Sequence, residues 1–74
     1  MNVGSQGESI EKLQRALNQQ LRPSPELIVD GEFGPMTQAA VIAWQKSQKL
    51  NETGEIDRAA WKKLGLAEDQ FLAK

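Results

Sequence analysis

Seventy-four residues, 39% hydrophobic and 26% charged, limit the chain to one small core and exclude a deep, enclosed active site. A net charge of −1 and a pI near 5.3 argue against nucleic acid as the ligand, because neutralising phosphates needs a basic surface. The absence of Cys and His removes disulfides, thiolate nucleophiles, imidazole bases and nearly every zinc site, so no metal and no cofactor is expected. No apolar run approaches the ~20 residues of a membrane span, and Met1-Asn2-Val3-Gly4-Ser5 is no signal peptide, so any export signal is expected outside these residues.

Gly4-Ser5-Gln6-Gly7 reads as a flexible lead-in. From Glu8 to Gln20, Ile10, Leu13, Leu17 and Leu21 keep a helical rhythm that Ala16 widens, while Glu11, Lys12 and Arg15 face away. Arg22-Pro23-Ser24-Pro25 ends this helix, since proline has no N–H to donate and pushes its predecessor out of the α region. Leu27-Ile28-Val29 is a short β-branched stub, too brief for an independent sheet. Pro35 suits the first position of a second helix running to about Gln48, with Ala40, Val41, Ala43 and Trp44 turned inward. Asp57 caps a third helix through Leu64, with Ala60, Trp61 and Leu64 as its apolar side and Gly65 as its stop. The tail from Leu66 adds one loose turn through Phe71 and Leu72 or begins a linker.

Two internal echoes run through this order. Asp30-Gly31-Glu32-Phe33-Gly34 returns 23 positions later as Thr53-Gly54-Glu55-Ile56-Asp57, with Leu27 and Leu50 aligned at the same offset. Each copy is a glycine turn, an apolar plug and a helix cap. Ile10-x-x-Leu13-Gln14 likewise corresponds to Val41-x-x-Trp44-Gln45. The expected fold is all-α, a compact three-helix bundle with two repeated turn–helix units forming one domain over 1–74, its core spanning 7–66.

Several residues allow two readings. Asp30-Gly31 is a turn former that could also touch a ligand, and Phe33 and Ile56 read as plugs between helices. Trp44 and Trp61 have core spacing but are also the residue type that stacks on sugars. Gln14 and Gln45 either brace a neighbouring loop's backbone or meet a ligand; Thr37 either reinforces a cap or donates outward. Glu32, Glu52, Glu55 and Asp57 read as exposed turn residues and a cap, because nothing in a chain this small would desolvate a carboxyl for acid catalysis. Lys46, Lys49, Lys62 and Lys63 form a modest solvated fringe.

Gly7 with Ile10-x-x-Leu13-Gln14-x-x-Leu17, then Asp30-Gly31-x-Phe33-Gly34-Pro35-x-Thr37, Ala40-Val41-x-x-Trp44-Gln45, Leu50, Gly54-x-Ile56-Asp57 and Trp61-x-x-Leu64, resemble in order and spacing the peptidoglycan-binding domain family. That family is a small three-helix module attached to bacterial and phage cell-wall hydrolases. The chain departs from it in carrying Trp44 where Phe is commoner, and a longer, proline-stiffened 21–26 segment. The resemblance implies a non-catalytic module that tethers a hydrolase or other envelope protein to murein. Its partners would be peptidoglycan and a covalently linked or associated catalytic domain, with no nucleic acid. It would act as a monomer in the periplasm, in the cell wall or outside the cell. The expected ligand-binding set is Asp30, Gly31, Phe33, Met36, Thr37 and Gln45, around free N–H groups of Met36, Thr37 and Gln38 at the start of helix two. The same fold also serves as a regulatory or protein–protein module, and three short helices suit a DNA-binding helix-turn-helix, which the acidic balance disfavours.

Overall fold

The computed structural model describes residues 1–21 and 23–71. Helix α1 spans Glu8–Gln20, α2 Pro35–Ser47 and α3 Arg58–Lys63, followed by one 3-10 turn at Glu68–Gln70. Among the described residues there is no strand, and the fold is all-α. Its principal extents are 27 × 23 × 19 Å, those of a closely packed chain of this length.

Each helix forms for a visible local reason and persists because one face is buried. Helix α1 inserts Ile10, Leu13, Ala16 and Leu17 into the core, and Glu8 and Glu11 in its first turn meet the positive end of the helix dipole. The Glu11–Arg15 pair, 3.7 Å apart and exposed, adds at most a few tenths of a kcal/mol. Helix α2 starts at Gly34 with Pro35 in its first turn and no side-chain cap. Helix α3 has only six residues, too few to persist alone. It is held by burial of Ala60 and Trp61 and by Asp57, whose Oδ1 accepts the Ala60 N–H at 2.8 Å. Trp44, Trp61, Phe33 and Ile56 meet α1 in a single cluster completed by Leu27, Val41 and Leu64. Both tryptophans are enclosed there, so neither serves as a sugar-stacking platform on the surface.

Three features go beyond the sequence reading. The 4–7 segment is no loose lead-in: Gly4 N–H donates to Phe33 O, Phe33 N–H to Ser5 O, and Gly7 N–H to Gly31 O, all within 2.8–2.9 Å. Further back, Met1 and Ile56 exchange backbone hydrogen bonds in both directions. The first six residues therefore lie across both plugs and satisfy backbone groups that would otherwise be buried unpaired. Second, Leu27-Ile28-Val29 forms no strand, because no neighbouring strand is there to pair with it. Asn18 takes that place, accepting the Leu27 N–H on Oδ1 and donating to Leu27 O from Nδ2, so Leu27 turns inward while Ile28 stays exposed. Third, the tail does fold back: Trp61 Nε1–H donates to Ala67 O at 2.7 Å, and the Phe71 ring meets Trp61 edge-on at 5.8 Å. Leu72, expected in that turn, lies outside the described residues, as does Arg22.

The repeat extends into the backbone. Gly31 and Gly54 have φ of 75° and 76°, and Glu26 and Lys49, also 23 residues apart, have φ of 52° and 59°. A Cβ on Gly31 would sit 3.2 Å from the Gly7 carbonyl oxygen, whereas one on Gly54 would meet only the Gln38 side chain. Both Gly→Ala changes are expected to destabilise, by about 1–2 kcal/mol. Gly31→Ala is expected to be the worse of the two because a backbone oxygen cannot swing away. Urea melts of the two variants check the ranking; a neutral Gly31→Ala would contradict it.

Candidate functional site

Two buried glutamine amides hold the two turns in the same way. Gln14 Oε1 accepts the buried Gly31 N–H at 3.1 Å, and its Nε2 lies 3.0 Å from Asp30 Oδ1, 3.0 Å from Glu32 O and 3.1 Å from Thr37 Oγ1. Gln45 repeats this: Oε1 accepts the Gly54 N–H at 3.0 Å, and Nε2 lies 3.1 Å from Thr53 Oγ1 and 2.9 Å from Glu55 O. Within each turn the small polar residue also accepts an amide two positions on, Glu32 N–H on Asp30 Oδ1 and Glu55 N–H on Thr53 Oγ1. The bracing reading of both glutamines is therefore the one the structure shows. Among the described residues no buried side-chain nitrogen or oxygen lacks a partner.

A surface groove lies beside each turn. The first, of about 310 Å³, runs between the 26–32 loop and the start of α2 and is lined by Glu26, Leu27, Ile28, Asp30, Glu32, Met36 and Thr37 with Gln14 behind. The second, about 320 Å³, is lined by Leu50, Asn51, Thr53, Glu55, Ala59 and Ala60 with Gln45 behind. Moving 23 positions along the chain converts most of the first lining into the second. The exchanges change the chemistry. Ile28 and Met36, 80% and 72% exposed, become Asn51 and Ala59, and the capping position passes from Gly34 to Asp57. At the second groove Asp57 occupies the Ala60 N–H. At the first, α2 has no side-chain cap, and neither Met36 nor Thr37 has an acceptor for its amide among the described residues, so the orphan donors of a helix start remain there. The Gln38 amide does not join them, because it already donates to Gly34 O at 2.9 Å.

The residues nominated from sequence do not all converge. Asp30, Met36 and Thr37 line the first groove. Gly31 is buried behind it, and Phe33, 2% exposed, is a core plug with no ring face left for a ligand. Gln45 stands at the second groove; the amide at the first is Gln14. The internal echo of Gln14 and Gln45 carried that information, since each glutamine belongs with the turn it braces. Glu26 and Ile28 were missed: one is aimed by a left-handed backbone that its residue type does not announce, and the other lies in a stretch that reads as a strand.

The first groove is acidic. Its titratable lining side chains are Glu26, Asp30 and Glu32, all exposed. The Asp30 carboxyl is held below its ordinary 3.8, first by the hydrogen bond from the Glu32 amide and then by that from Gln14. A lowered folded-state value means that the stabilisation is present above pH 3.8 and is lost as pH falls through the folded value. A carboxyl-carbon NMR titration is expected to place Asp30 below 3.8, and Gln14→Ala is expected to bring it back toward that value. An unshifted Asp30 would contradict the described contacts.

Residues 6–64 match the family described as "Putative peptidoglycan binding domain". The chain belongs to that family. Its fold of three helices without strands among the described residues accords with the match, which points to peptidoglycan as the polymer bound and to the cell envelope as the setting. No curated protein and no solved structure matches the chain.

Proposed function

We propose that this chain is a non-catalytic domain that holds a cell-wall hydrolase, or another envelope protein, on peptidoglycan, and that the first groove is where it binds. The observation that carries this reading is the inequality of the two grooves. In the second, Asp57 occupies a helix-start amide and no large apolar side chain is exposed. In the first, the amides of Met36 and Thr37 have no partner among the described residues, and Ile28 and Met36 project beside them. Neither feature helps the fold; both suit a ligand. A stem-peptide carboxylate would take the amides at the start of α2, and apolar parts of the peptide would rest on Ile28 and Met36.

A catalytic role is not supported by the carboxylates at this groove. They are exposed, and Asp30 is shifted down, opposite to what a general acid requires. A shallow site gives weak binding, on the order of 10 μM to 1 mM, and tethering then works by raising the local concentration of the attached partner near the bonds it cuts.

One observation favours a second reading, docking onto a protein. From Leu27 and Met36 a further apolar groove of about 450 Å³ continues past Pro23, Pro25, Ala39 and Ala43 to Ser47. Sedimentation with purified sacculi separates the two. Retention that survives high salt is expected; its absence would favour protein docking. Titration with soluble muropeptides is expected to shift NMR signals of residues 26–37, and shifts spread evenly over the surface would remove the groove from the proposal.

A further inference from the structure

The groove's charge names part of its ligand. Every titratable side chain among the described residues lining it is a carboxylate: Glu26, Asp30 and Glu32, all from the 26–32 loop that faces the start of α2. The equivalent groove keeps two carboxylates, Glu55 and Asp57, but offsets them with Lys63 in its lining and has Lys49 where Glu26 would fall, so the carboxylates go unopposed only at the groove that also exposes Ile28 and Met36. An apolar strip with three carboxylates beside it complements an extended chain that carries a positive charge. It opposes one that carries only negative charge, by about as much as a helix start favours it. Resting on the peptidoglycan reading above, we infer that the first groove selects stem peptides whose diamino-acid side chain still bears a free ammonium group, and discriminates against stems in which that nitrogen is acylated by a cross-link. The ammonium sits among Glu26, Asp30 and Glu32, and the alanyl methyls lie over Ile28 and Met36 and on toward Ala39. Acylation removes the charge and leaves carboxylates facing a neutral amide. The domain would then favour loosely cross-linked wall, where uncut stems are open to a tethered partner.

The test uses the 74-residue chain, with a soluble muropeptide containing a free side-chain amine and the same muropeptide after acetylation of that amine. Calorimetric titration at low salt is expected to show roughly fivefold or greater weakening on acetylation, and a smaller ratio at 0.3 M salt as screening shortens the field. The double variant Glu26→Gln, Glu32→Gln changes two exposed side chains whose carboxylates make no contact in the fold, and its melting temperature is checked against the parent. It is expected to bind the free-amine peptide as weakly as the parent binds the acetylated one, with the acetylated peptide unaffected. Equal affinity of the parent for both peptides, discrimination that survives in the double variant, or no binding of either peptide would each overturn the inference. Retention on sacculi decides the broader reading separately, so failure here with retention intact leaves peptidoglycan binding standing.

Discussion

Replacing Gln14 with alanine is expected to remove about 3 kcal/mol of stability, the largest loss available from any polar side chain in the molecule. Gln14 is 1% exposed and every polar atom of its amide is engaged. Deleting it strands the buried Gly31 N–H and removes the donor from Glu32 O, Thr37 Oγ1 and Asp30 Oδ1 at once. A buried group left unsatisfied costs about 1–3 kcal/mol, and the buried Gly31 and Thr37 cannot recover water as the exposed Asp30 and Glu32 can. For a domain whose total stability is of order 5–10 kcal/mol, the midpoint of thermal unfolding should fall by ~12–24 °C. Gln14→Met, which restores volume without hydrogen-bonding capacity, is expected to recover little. Gln45→Ala should cost less, because Thr53 and Glu55 are exposed and water can replace the amide there. A Gln14→Ala loss below 1 kcal/mol, measured by chemical denaturation, would show that the turn holds itself without its brace.

Trp61→Ala is expected to be at least as damaging, about 4 kcal/mol, by the cavity route. The indole is wholly enclosed, fills the junction of α1, α3 and the tail, and ties the tail through Nε1 to Ala67 O. Its loss also removes the edge-on contact with Phe71, against which the Arg58 guanidinium lies at 5.8 Å, and so loosens the 3-10 turn that Ser9 holds through Gln70 O. The tail contributes mainly through Trp61, so the two effects should not add. Deleting residues 66–74 is expected to destabilise the parent by about 1–2 kcal/mol and the Trp61→Ala variant hardly at all. Trp44 remains as the fluorescent reporter in both backgrounds. Full additivity would mean that the tail packs independently of the indole.

The helices were legible because their signals are local. Ile10, Leu13 and Leu17 announce the buried face of α1, Pro35 its position in the first turn of α2, and Asp57 the cap of α3. The plugs Phe33 and Ile56, and the place of Leu27 in the core, followed from the repeat. The N-terminal segment, read as loose at 4–7, and the seating of the 27–29 stub escaped the sequence for a shared reason. Their backbone partners are far away in sequence, Phe33 and Ile56 for one and the Asn18 side chain for the other, and no local pattern marks such pairings. At the candidate site, Asp30, Met36 and Thr37 came from the turn and helix-start signals, while Glu26 and Ile28 depended on how the 23–28 segment closes over α1.

Periodicity, caps and a turn pattern stated twice were enough to set three short helices around one core and to point to a family. Those properties reside in residues within a few positions of one another, where propensity and burial period act. Packing alone decided that the two copies would differ in use. Only with α1 behind the first turn and α2 behind the second does Gln14 go to one and Gln45 to the other, and only then do Ile28, Met36 and three carboxylates from separate positions face a common groove. A groove is a relation between segments held apart in sequence, and its shape and charge come into being when the core closes.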